Sequence, residues 1–294
     1  MRKFIPALAA AGLALLGGAV LTVGLVPVAA AQAAKGKSAP KINPKVLKPL
    51  QAALELVNAG KYAEAEVELQ AADAVPDKTT FEQFQIDELV GFAAIKQKKF
   101  NEAAKAYERA LDSGLVAPEQ VNDRLRLLAQ LYLQTEPRDL ARSGEFGKRW
   151  LDASGTRDPV MLGLVGQAAY FSDNFSDAVT YMKEAVAVTA AAGQKPEENW
   201  LLVLQSAQSK LKNNPGITEA TIELVRYYPR KEHWKTLSSG LLAQAASKDR
   251  QILQVFRLMY QVDAMDDADE FMEAANSATL LGSPGEALKF MEKG

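Results

Sequence analysis

One histidine and no cysteine limit the chemistry this chain could carry. His233 stands beside Trp234 at the start of a predicted helix. Metal and general-base roles of histidine need partners of the right kind, and there is no second imidazole and no thiolate to complete a transition-metal set. It reads as a surface or helix-start residue. The acids Asp263, Asp266, Asp267, Asp269 and Glu270 supply oxygen donors that could suit calcium. They lack the spacing and central glycine of a calcium-binding loop, and acids at a helix N-terminus are favoured by the macrodipole without any ligand.

Glycoside hydrolysis would require a pair of carboxylates in one cleft. The candidates Glu102, Asp177, Glu219 and Glu286 instead recur at one repeat position. A recurring acid is a property of the repeat, whereas a catalytic pair is singular. No G-x-S-x-G, P-loop or G-x-G-x-x-G pattern occurs. The residues therefore point to no catalytic group, no metal and no cofactor. The composition, 48% hydrophobic and 24% charged with net charge −2, is that of a globular chain. Its slight acidity argues against nucleic acid, which needs a basic face.

The acids that recur belong to a longer pattern: a bulky residue, any residue, an acid, then alanine. It runs through Tyr62–Ala65, Phe100–Ala103, Phe175–Ala178 and Ile217–Ala220, with weaker copies at Pro284–Ala287 and Arg138–Ala141. The anchoring alanines 65, 103, 141, 178 and 220 lie 38, 38, 37 and 42 residues apart, and Ala287 follows about two units later. Twelve residues before each anchor stand Ala53, Gly91, Ala129, Gly166, Gln208 and Ala275. All but Gln208 are small, as a close helix crossing demands. Gln208 predicts a splayed or distorted fifth unit.

Turn signals fall between the two marks, at Asn58-Ala59-Gly60, Asp173-Asn174, Asn213–Gly216 and Gly282-Ser283-Pro284. Prolines 76, 118, 159, 196 and 229 separate the units, where a first helical turn tolerates them. Each unit is helix, tight turn, helix. First helices are predicted over 47–58, 80–97, 118–134, 159–171, 196–212, 231–246 and 267–281. Their partners are predicted over 61–73, 100–112, 138–152, 175–191, 216–227, 249–262 and 284–293.

With these residues in view, the chain resembles the tetratricopeptide repeat family. Unit two carries Val90, Gly91, Ala103, Tyr107 and Ala110 at matching offsets, and unit four carries Leu162, Val165, Gly166, Ala178 and Ala185. Unit six offers Trp234 and Leu237, with Ser238 in place of the glycine. The resemblance implies an all-α fold, a right-handed α-solenoid of about seven helix-turn-helix repeats. Units near 38 residues rather than 34 keep other helical-hairpin families, such as Sel1-like repeats, open. The family's peptide-carboxylate clamp is missing: Leu50 and Leu54 in unit one, and Glu88 and Phe92 in unit two, stand at its positions.

The N-terminus reads as an export signal. Arg2 and Lys3 precede the apolar stretch from Ala7 to Val28, and Ala31-Gln32-Ala33 offers small residues to signal peptidase. The alternative is an N-terminal inner-membrane anchor, since the run is about long enough to span a bilayer. The division is 1–33 signal peptide, 34–46 flexible Lys- and Pro-rich tether, and 47–294 repeat array. The expected location is periplasmic, with no stable membrane insertion once the signal is cleaved. The array stops after a second helix, leaving Leu288, Phe290 and Met291 expected to face nothing. That favours continuation of the natural chain, docking on a partner or self-association.

Tandem helical hairpins imply a concave surface lined by first helices and suited to peptides. The register selects Arg126, Gln130 and Leu133, then Gly163, Gln167 and Tyr170, then Gln205, Ser209 and Lys212 as inward-pointing. Arg126, Gln130, Gln167, Tyr170, Gln205 and Lys212 are the candidate peptide contacts. Of the aromatic residues, Phe92, Tyr170 and Phe171 are the ones expected to reach the surface. The expected function is a non-catalytic scaffold or adaptor for envelope proteins or peptides. It is similar to repeat proteins that accompany TonB-type transport or outer-membrane assembly. The alternative is a substrate-holding arm of an exported cell-wall enzyme whose catalytic part lies beyond residue 294.

Overall fold

A computed structural model describes residues 41–245 and 248–294, and the proposed signal peptide and most of the tether lie outside it. Fourteen α-helices make up the described residues, with no strand among them. In order they are α1 (Pro44–Asn58), α2 (Tyr62–Asp73), α3 (Thr80–Lys96), α4 (Phe100–Asp112), α5 (Pro118–Gln134), α6 (Leu140–Ser154) and α7 (Pro159–Phe171). They continue as α8 (Phe175–Ala191), α9 (Glu198–Lys210), α10 (Asn214–Tyr227), α11 (Lys231–Ala245), α12 (Asp249–Gln261), α13 (Ala268–Leu280) and α14 (Pro284–Lys293). Consecutive helices pair as seven antiparallel hairpins, and each hairpin also packs on the next within its unit. The chain divides into two compact units, one ending at Thr156 with three hairpins and one running Arg157–Gly294 with four.

Helix starts follow local chemistry. Thr79 caps α3 in a capping box, its hydroxyl accepting from Glu82 N (3.2 Å) while Thr79 N donates to Glu82 Oε2 (2.7 Å). Asp158 caps α7 by accepting from Met161 N (2.8 Å), and Asp267 caps α13 by accepting from Glu270 N (2.9 Å). Proline occupies the first turn of α1, α5, α7, α10 and α14, where its missing N–H has no helical partner to lose. Five of the tight turns inside hairpins pass through a left-handed residue, at Gly60, Lys98, Asp173, Lys212 and Gly282. A backbone of one fixed shape thus recurs even where glycine does not.

The first helix begins three residues before its expected start. Asn43 accepts from Lys45 N (3.0 Å), and its own N–H donates to Glu82 Oε1 (2.5 Å) at the head of α3. Val46 is fully buried. Residues 44–46, read from the sequence as the end of a tether, belong to the first hairpin.

Small residues do sit at the crossings. A Cβ on Gly91 would lie 2.7 Å from Tyr107 Cε1, and one on Gly166 would lie 3.1 Å from Met182 Cε. At Ala129 the approach is close enough for Ser143 Oγ to donate to its carbonyl (2.7 Å). The fifth hairpin corrects the expected splay. Gln208 is buried, and it lies against Gly216 of α10 so closely that a Cβ there would clash. The small residue has moved to the partner helix, so the volumes are exchanged across the crossing and the contact is kept. Asn213 Nδ2 donates to Gln208 Oε1 (2.9 Å), which gives the buried carbonyl oxygen its partner.

The gap appears instead in hairpin six. A cleft of about 510 Å³ opens between α11 and α12, lined by Leu241, Gln244, Ala245, Arg250, Gln251, Gln254 and Val255. The expected exposure at the C-terminal hairpin holds for Leu288 and Met291, but Phe290 is buried. Its ring meets Tyr260 edge-on at 5.3 Å.

Candidate functional site

The register residues divide by what their side chains touch. Arg126 is exposed on α5, with its guanidinium 5.6 Å from the ring centre of Trp150 on α6. That is a cation–π platform, planar and charged on its outer side. Gln130 and Leu133 are half-buried along the same helix. Gln167 is half-buried on α7. Tyr170 is also half-buried, but its hydroxyl is 2.6 Å from Ser206 Oγ on α9, tying hairpin four to hairpin five. Phe171 beside it is exposed.

Three positions differ from the expectation. Gly163 is buried against Trp200 of α9, because the next hairpin's aromatic ring needs the missing Cβ. Gln205 turns toward its own hairpin partner, and Nε2 donates to Thr221 Oγ1 on α10 (2.6 Å). Lys212 is exposed in the left-handed turn after α9 rather than on a helix. Phe92 is likewise buried, packed edge-on to Tyr62 at 6.3 Å. The first and second unit each hold part of this residue set.

His233 stands in the first turn of α11, as its helix-start reading has it, but it is buried rather than on the surface. Its Nε2 donates to Glu198 Oε1 (2.9 Å) at the head of α9, and Arg230 reaches the same carboxylate. Burial pushes the imidazole below its ordinary range, and Arg230 adds to that. The cluster is a joint between hairpins five and six. The acidic run is paired in the same structural manner. Asp266 takes both Lys231 and Lys235, which hold its carboxyl below the usual range, and Asp263 takes Lys293 (2.7 Å). No group of three or more potential metal ligands is present among the described residues.

Two of the recurring acids tie successive hairpins together. Glu219 pairs with Lys183 of α8 (3.0 Å), and Glu286 is held by Arg257 of α12 through two hydrogen bonds (2.7 and 2.6 Å). In both cases a base on one second helix reaches an acid on the next. Two further pairs join successive second helices with the charges reversed, Glu66 of α2 with Lys99 at the cap of α4 (2.5 Å) and Glu108 of α4 with Arg142 of α6 (2.8 Å).

A concavity that the sequence reading missed lies within the first unit. It measures about 240 Å³, with α3 as its floor and α2 and α4 as its walls. The floor is apolar, formed by Ile86, Val90, Ala93 and Ala94, with Leu69 from α2. Glu66, Gln70 and Asp73 line one wall, and Glu102, Lys105 and Arg109 the other. Asp87 belongs to the floor and is almost wholly buried. Arg109 donates to it through Nε (3.0 Å) and Nη2 (2.5 Å), yet burial still holds the carboxyl above the usual range. Asp87 stands four residues before Gly91, where unit six has Trp234 before Ser238. A charge at a core position of the repeat was the available signal.

No family model matches the chain, and no curated protein is similar to it. Among solved structures, MamA is 15% identical, aligning 62% of this chain with 96% of its own at a TM-score of 0.42. The C-terminal part of a TPR repeat-containing protein from Cytophaga hutchinsonii is 17% identical, over 82% of this chain and 93% of that one, at 0.41. PilW, a type IV pilus biogenesis factor, is 13% identical over 76% and 96%, at 0.33. The class of fold rests on the chain's own geometry. Seven hairpins, small-to-large crossings and a turn recurring every 38 residues or so make it a tetratricopeptide-like helical repeat protein. No helix among the described residues is long and apolar enough to cross a membrane.

Proposed function

We propose that this chain is an exported, non-catalytic scaffold that holds envelope proteins or peptides against its first helices. The observation that carries the reading is the Arg126–Trp150 platform. An exposed guanidinium spread over a large aromatic ring, with half-buried Gln130 and Leu133 beside it, joins residue types that dominate interface hot spots. The face offers planar donors to backbone carbonyls or carboxylates and apolar area beneath them. Gln167 extends the set in the second unit, whereas the polar atoms of Tyr170 and Gln205 are engaged in helix-to-helix hydrogen bonds. The basic start, apolar stretch and small-residue site of residues 1–33 support periplasmic export.

The test compares two double variants by chemical crosslinking in cells that make the protein. Arg126→Ala with Gln130→Ala is expected to abolish the crosslinked partner band. Lys148→Ala with Lys183→Ala, exposed on second helices, is expected to keep it. Equal bands from both pairs would reject the first-helix face.

A further inference from the structure

Hairpin six puts a cation where the repeat packs an alanine. At the position where Ala65, Ala103, Ala178 and Ala220 are buried, it has the exposed Arg250. Every other arginine among the described residues holds a carboxylate, lies over an aromatic ring or has another partner, and Arg250 has none. Arg250, Gln251 and Gln254 follow at helical spacing and form the α12 wall of the α11–α12 cleft. The two glutamines are exposed and make no side-chain hydrogen bond among the described residues. Leu241, Ala245 and Val255 give the cleft an apolar side, and Gln244 is already bonded to Thr218 Oγ1 (2.6 Å). Arg250 is the single charged residue of the lining, and the adjacent Lys248 and Asp249 add one charge of each sign.

We propose that this cleft receives a glutamate or aspartate side chain of a bound peptide. A guanidinium presents a planar fork that meets a carboxylate through two parallel hydrogen bonds. The amides of Gln251 and Gln254 offer donors and acceptors to the peptide backbone on either side of that carboxylate. The apolar side takes the methylene stem. The volume of about 510 Å³ lies within the roughly 300–1,000 Å³ of ligand pockets, which leaves room for one acidic residue and its flanking backbone. A lysine would bring a like charge to Arg250, and no carboxylate lines the cleft to answer it. A glutamine would keep the shape and lose the charge-assisted bonds. A departure from the repeat's own packing rule, uncompensated by any contact inside the chain, is where a functional site is expected. The cleft lies between the two helices of one hairpin, so it is a site apart from the Arg126 platform and adds a selectivity for acidic segments.

The inference rests on the scaffold reading only in taking a peptide as the ligand. The test titrates the full chain with blocked, fluorescent hexapeptides alternating alanine with glutamate, glutamine or lysine, and maps the contact by hydrogen exchange. The glutamate peptide is expected to bind roughly tenfold more tightly than the other two, about the worth of one hydrogen bond to a charged group. It should also slow exchange in residues 231–261. Arg250→Gln, at an exposed position, is expected to remove the preference. Gln254→Glu should remove it as well, by placing a carboxylate one helical turn from Arg250, and either variant serves alone if the other does not fold. Inorganic phosphate at the same concentration should leave exchange in 231–261 unchanged. Equal binding of the three peptides, protection by phosphate equal to that by the glutamate peptide, or indifference to the variants would overturn the inference. A glutamate peptide that protects only residues 118–154 would defeat the cleft and leave the scaffold reading standing.

Discussion

Hairpins two and six carry the same architecture on different chemistry. In α3–α4 a glycine at the crossing lets the Tyr107 ring settle where a Cβ would otherwise be, and Arg124 covers that ring from α5 at 4.0 Å. In α11–α12 the corresponding residue is Ser238, wholly buried and with no partner for its hydroxyl. Twelve residues later, hairpin two has the buried anchor Ala103 and hairpin six has the exposed Arg250. The first crossing is filled, and beside the second lies the cleft of about 510 Å³. A repeat holds its two helices together by matching a small residue to a large one. Where the match is lost, the hairpin persists with less packing.

The largest effect expected from disturbing this contrast is at Gly91. Gly91→Leu drives four carbons into the space of the Tyr107 ring, and overpacking of this kind costs roughly 1–3 kcal/mol. Urea unfolding of the purified chain should show the loss in the transition of the first unit. A wild-type curve would mean that the crossing is not where the protein is tight. At Ser238 the sign reverses. Ser238→Ala removes a buried hydroxyl that has no partner, and relief of that desolvation should stabilise by about 1 kcal/mol. Thermal melts would register it, and a destabilised variant would show that the hydroxyl has a partner.

Both contrasts were partly visible in the sequence. Helix ends were legible because proline and capping residues act locally: Pro118, Pro159 and Pro284 each open the helix they predicted. Ser238 in place of glycine marked the weaker sixth repeat. The exchange of volumes in hairpin five was not legible, since Gln208 looks like a defect until Gly216 is found beneath it on the neighbouring helix. Nor was the α2–α4 cleft, whose acids Glu66, Asp87 and Glu102 come from three helices and meet only in the fold. The register gave the face of Gln205 by spacing alone, but its amide follows the nearest hydrogen-bond partner, Thr221.

A smaller and pH-dependent effect belongs to the joint beneath hairpin six. Burial lowers the His233 pKa below the roughly 6.5 it would have in the unfolded chain, so the unfolded state binds the proton first. The stability at this site is complete above about pH 6.5 and declines as pH falls through the interval down to the folded value. Carboxylates held low by bases, such as Asp266 and Glu286, titrate in a lower window. Urea midpoints between pH 7.5 and 5.5 should therefore fall for the wild type and stay flatter for His233→Gln. Parallel slopes would assign the proton uptake elsewhere.

The packing contrast itself is tested most directly by hydrogen exchange on the unmodified chain. Amides that open locally exchange according to the stability of their own segment, so well-packed and loosely packed hairpins separate in one experiment. Mass spectrometry of peptides from 80–112 and from 231–261 compares hairpins two and six under identical conditions. Slower exchange throughout α3–α4 than in α11–α12 is the predicted result, with the α11–α12 difference narrowing in Ser238→Ala. Equal protection of the two hairpins, or greater protection of α11–α12, would contradict the claim that a matched small and large residue at the crossing is what makes a hairpin of this array stable.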